Sequence, residues 1–157
     1  MIRELLTLPQ EIAWLPWAVQ YFFFIGIAAS ASLIAVILRW WKHGELKGLE
    51  LLVVGFGITA GIVGPIALLA DLHQPGRFFN FYTQMAPWSW MWIGAIFVPL
   101  FVVFIIVQFL LLLRENTTKA GTYKWFRALH WGDLNPSVWL EWTSVGLLVT
   151  AFMILLY

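Results

Sequence analysis

The chain has 157 residues, 62% of them hydrophobic and 11% charged, with a net charge of +1 and no cysteine. Soluble domains use roughly 45–50% apolar and about 25% charged residues, so a water-soluble fold is excluded. So is a global basic or acidic field of the kind that gathers nucleic acid. The absence of cysteine removes disulfides, thiolate metal sites, iron–sulfur ligation and cysteine nucleophiles from this chain.

A helix needs about 20 consecutive apolar residues to cross a bilayer, because no backbone polar group can stay unpaired in hydrocarbon. Four stretches qualify, at about 13–38, 49–70, 89–113 and 136–157. The expected fold is therefore an all-α integral membrane protein, a single transmembrane domain over 1–157 built as an up-down bundle of four helices. None of the four stretches contains Lys or Arg, so none is expected in the helices, and Glu141 is taken as the only acid inside them.

The first stretch carries the small-x-small run Ala29-Ser30-Ala31, which a secretory signal would have at its cleavage site. Glu4 and Glu11 stand before it against a single Arg3, and the uncharged run 12–38 is longer than a signal core of about 7–15 residues. It is read as a retained first helix. Gly26, Ala28, Ser30 and Ser32 give it a small face. The second helix matches this with Gly55, Gly57, Gly61 and Gly64, in which Gly57 and Gly61 form a G-x-x-x-G pair. These two helices are expected to touch, and Pro65 to kink the second. Pro75 biases Gln74 away from helix, so the second helix is expected to end with Asp71 in its last turn. The fourth starts on Asn135-Pro136, an N-cap residue followed by proline at the first helical position.

Cytoplasmic loops retain positive charge. Arg39, Lys42 and Lys47 fall in the first loop and Arg114, Lys119, Lys124 and Arg127 in the third, against Arg3 and Arg77 on the other side. Both termini and the second loop are thus expected outside, in the periplasm. Tryptophans agree: Trp14, Trp17, Trp88, Trp90 and Trp92 flank the outer ends, and Trp40, Trp41, Trp125, Trp131, Trp139 and Trp142 the inner ones. The segment 123–131 mixes aromatics with Lys124, Arg127 and His130. It fits a short helix in the inner interface and a solvated loop equally well.

Polar groups at membrane depth are functional candidates, here Gln20, Asp71, His73, Gln108 and Glu141. The negative end of a helix favours a protonated Asp71 and a protonated His73, which sets an acid and a base side by side at an outer interface. Arg77 beside them would instead pair with the Asp71 carboxylate. The plain alternative is a helix-end cluster that holds a loop and lipid headgroups. Glu141, with Gln108 and Gln20, offers a thin proton path from the inner face, or simply a carboxylate reaching the inner headgroups.

The run Asp71-Leu72-His73-Gln74-Pro75-Gly76-Arg77-Phe78 resembles the D-L-x-x-P-x-R-F signature of the NrfD/PsrC family of quinone-reactive membrane subunits. The stretch Ala86-Pro87-Trp88-Ser89-Trp90-Met91-Trp92-Ile93-Gly94 is similar to that family's entry to the third helix, and 17–31 to its first helix. The resemblance implies the quinone-bearing four-helix half of a larger subunit, completed by a second membrane chain if the protein is split. It implies a quinone (menaquinone or ubiquinone) near the outer face, with Asp71 and His73 exchanging protons and Arg77, Gln20 and Tyr21 nearby. It also implies a docked ferredoxin-like iron–sulfur subunit and a molybdenum-type catalytic subunit in a respiratory oxidoreductase of the cytoplasmic membrane. His43 and His130 fall inside and His73 outside, so no histidine pair faces across the helices and a haem-free anchor is expected. The competing functions are a purely structural anchor for peripheral redox subunits and a proton-translocating module.

Overall fold

The structure, a computed structural model, describes residues 16–42, 45–71, 76, 78–83, 88–117 and 135–156. The described residues form α1 (Pro16–Lys42), α2 (Lys47–Asp71), a one-turn α3 (Asn80–Thr83), α4 (Trp90–Thr117) and α5 (Pro136–Leu156), with no strand among them. The four long helices are each long and apolar enough to cross a membrane. The chain is an all-helical, multi-pass membrane protein.

α5 begins on Pro136, directly after Asn135, where the N-cap and proline rule set its start. α2 is described as far as Asp71, and the expected stop near residue 74 lies outside the described residues. Ser89 accepts the first backbone bonds of α4, from Trp92 N at 3.1 Å and Ile93 N at 3.2 Å. α2 continues as helix through Pro65, and α4 through Pro99.

One expectation is corrected. The helices do contain basic residues: α1 runs on through Arg39 to Lys42, α2 starts on Lys47 and α4 carries Arg114. The apolar run ends before the helix does, and ion pairs between helices stabilise the extra turns. The segment 123–131 lies outside the described residues.

Each long helix packs on two others, closing a ring in the order α1, α2, α4, α5, with the α1/α2 seam the most extensive. Lipid tails are as apolar as leucine, so close packing and polar contacts hold such a ring rather than hydrophobic transfer. The α1/α2 seam shows how. A Cβ at Gly64 would sit 3.5 Å from the backbone nitrogen of Ile25 and 3.6 Å from the carbonyl oxygen of Tyr21, and one at Gly61 3.6 Å from the Cβ of Ala28. The two backbones thus lie side by side, as the small faces predicted. Gly26 and Ser30 do not share in this: nothing lies within 4 Å of a Cβ at Gly26, and Ser30 is exposed. Ala28 and Ser32 are the buried members, and the Ser32 hydroxyl donates to the Ala28 carbonyl at 2.8 Å. Gly55 faces α4, where its Cβ would touch Phe109 at 3.4 Å. The ring closes around Phe101, Ile105 and Leu112 of α4 and Leu140, Leu147 and Ala151 of α5, all fully buried.

Candidate functional site

The helix directions follow from one cluster of side chains. Arg39 near the end of α1 lies 3.5 Å from Glu50 at the start of α2, 3.7 Å from Glu115 near the end of α4 and 3.3 Å from Glu141 at the start of α5. Lys47 pairs with Glu115 at 2.5 Å, and the Trp40 indole donates to Glu141 at 3.0 Å. Two C-terminal and two N-terminal helix ends therefore meet at a single charged end, which makes the bundle up-down. Exposed Trp40, Trp41, Trp139 and Trp142 surround that end, and exposed Trp17 and Trp88 the other.

Asp71, the last residue of α2, lies at the end opposite the charged cluster. Its side chain, with His73 and Arg77, falls outside what the structure describes. The signature reappears at Phe78, half-buried and packed edge-on against Tyr82 of α3 at 5.4 Å between ring centroids. α3, which no sequence pattern announced, packs in turn on α4. At the same end of α1 the two loosely matched residues part company. Tyr21 is buried, its carbonyl oxygen in the Gly64 seam, whereas Gln20 points outward and is exposed.

Gln108 and Glu141 are both engaged. The Gln108 amide nitrogen donates to the Ser144 hydroxyl at 3.0 Å, and the Thr143 hydroxyl donates to its carbonyl oxygen at 2.5 Å, so the fully buried amide joins α4 to α5. Glu141 is held by Arg39 and Trp40 rather than reaching alone toward headgroups. Going from Gln108 toward the signature end, the interior is lined by Ile105 and Phe101 of α4 and Leu147 and Ala151 of α5. Gln20 does not join this group. Glu50 is the acid that reading the sequence alone passes over, although it stands one residue inside the expected second helix. Its partner Arg39 counts, on sequence alone, only as a loop charge. The signal that could have found the pair is that acids and bases of different helices fall at the same predicted depth. Among the described residues no group of three His, Cys, Asp or Glu is placed to hold a metal.

A family model described as polysulphide reductase, NrfD, matches residues 4–157. The chain belongs to the NrfD family. It is 52% identical over 110 residues to a tetrathionate reductase subunit from Salmonella typhimurium, an alignment that covers 70% of this chain and 32% of that protein. This NrfD-family chain thus spans about a third of the length of that curated relative. No solved structure matches it.

Proposed function

We propose that this NrfD-family protein is a quinone-interacting membrane subunit of a multi-subunit reductase, with its quinone site at the signature end. Support comes from the family match and from the place of Asp71, which terminates α2 where a quinone head would meet both the aqueous interface and the helix end. The end of α2 disfavours a carboxylate, which suits an acid that must accept and release protons. Asp71 and His73 would take up or donate the protons of the quinone oxygens, with Arg77 and Tyr21 nearby. The electrons would pass to an iron–sulfur subunit docked at this end, and a further subunit would carry out the terminal reduction. By the loop charges the signature end faces the periplasm, with both termini on that side of the cytoplasmic membrane.

The observation that carries this reading is the coincidence of the family signature with the end of the bundle opposite the charged cluster. Asp71→Asn and His73→Ala in the assembled complex are expected to abolish quinol-dependent turnover while leaving subunit assembly intact. Wild-type quinol turnover in both variants would overturn it in favour of a structural anchor.

A further inference from the structure

The charged end is more than a set of surface pairs, because its acids are graded in exposure. The side chain of Glu141 is 56% exposed, that of Glu115 17% and that of Glu50 2%. Lys47 serves Glu115, which leaves Arg39, with a single positive charge, standing between Glu50 and Glu141. The contacts are not saturated. Arg39 Nε and Nη1 meet Glu141 and Glu50 only as ion pairs at 3.3 and 3.5 Å, without hydrogen-bond geometry, and Glu50 Oε1 is buried without a hydrogen-bond partner among the described residues. Buried donors and acceptors in such a position are normally satisfied by internal water, and a carboxylate oxygen also by taking up a proton. On its interior side Glu50 stands beside the Gln108 side chain, whose amide is tied to Thr143 and Ser144. Beyond that amide come buried Ile105 and Leu147, and the next buried hydroxyl, of Thr150, donates to its own helix's carbonyls at Gly146 and Leu147. The polar region is thus open at one end, through Glu141, and closed at the other.

We propose that this end of the bundle is a proton-exchange site, in which Glu141 takes protons from the adjoining aqueous phase and Glu50 holds them inside, relayed by water along Arg39. Glu141 gains an O–H bond as hydronium loses one, then loses it to a water that passes a proton on to a Glu50 oxygen, so that one O–H bond is made and one broken at each step and no electrons move. The charged groups that face Glu50 are Arg39 from α1 and Glu115 from α4, with Glu141 of α5 joined to it through Arg39 and Lys47 of its own helix through Glu115. Arg114 and Lys42 lie near the ends of α4 and α1 on the same side. The site does not depend on the quinone reading, since it lies at the opposite end of the helices.

Infrared difference spectroscopy on the full chain in lipid nanodiscs, stepped from neutral to acidic buffer, tests it. The wild type is expected to gain a carboxylic C=O band that shifts slowly in heavy water. E50Q should lose that band, and E141Q should keep it but slow its appearance several-fold. If E50Q does not fold, E50D serves instead, because it moves the frequency of the same band rather than deleting it. A band unchanged by either Glu50 substitution would overturn the proposal. So would E141Q kinetics equal to wild type, or no carboxylic band while the helical signal persists.

Discussion

The two ends of the bundle are held together by different physics. At the charged end, side chains from the three other long helices converge on Arg39 of α1, so position is fixed by long, directional polar groups. Toward the signature end, α1 and α2 meet through the absence of side chains, with Gly64 against the backbone of Ile25 and Tyr21. Among the described residues no ion pair joins the helices there. A polar clip sets which helix ends meet, while a glycine seam sets how closely two of them approach. The end held by packing is the one that carries the family signature, where the proposed function assigns charged side chains to chemistry instead of to assembly.

This contrast breaks most easily at the clip. Arg39→Leu leaves buried Glu50 without its cation and should cost about 3–5 kcal/mol, the range for removing one partner of a buried pair, read as earlier thermal loss of helical circular dichroism in detergent. Arg39→Lys should recover only part of it, since one ammonium cannot copy a planar fork that reaches three helices. The seam should respond to volume and not to charge. Gly64→Leu is expected to cost roughly 1–3 kcal/mol by overpacking against backbone. Gly26→Leu, in open space, should be near neutral in the same melts, and equal effects would refute the assignment of the seam. Between these regions, Gln108→Leu should lose about 1 kcal/mol, typical of a hydrogen bond between membrane helices. A double-mutant cycle with Ser144→Ala should return most of that loss as coupling. The smallest effect is expected at Lys47→Ala, a partly exposed pair worth about 0–1 kcal/mol, and it should fade with added salt.

Much of the architecture was legible because bilayer physics leaves few choices. Apolar runs gave the four long helices, Pro136 gave a start, and the glycines at 57, 61 and 64 gave the α1/α2 contact. What escaped had no local signature. Gly26 and Ser30 look as suited to a seam as Ala28 and Ser32, and only the direction in which α1 turns toward α2 separates them. Gly146 gave no warning that its Cβ would fall 2.5 Å from the Phe104 ring, because α4 and α5 share no repeating motif. Glu50 was hidden for a related reason. It stands at the edge of the apolar stretch 49–70, where reading the sequence alone passes over it, and its pairing with Arg39 depends on two helices lying side by side. At the candidate site, sequence placed Asp71 at the end of α2 but could not tell that Tyr21 turns inward while Gln20 turns out.

The ring order has a consequence for how the protein is made. α1 is flanked by α2 and α5, and the indole of Trp40 waits for a carboxylate 101 residues further along the chain. During synthesis, therefore, the basic end of α1 can be matched early by Glu50 but not by Glu141 until α5 has entered the bilayer. Arg39 must stay in contact with water or headgroups through that interval. α5 is then the helix that seals this ring, so a chain stalled before α5 would leave an open three-helix sheath with its cationic end uncovered.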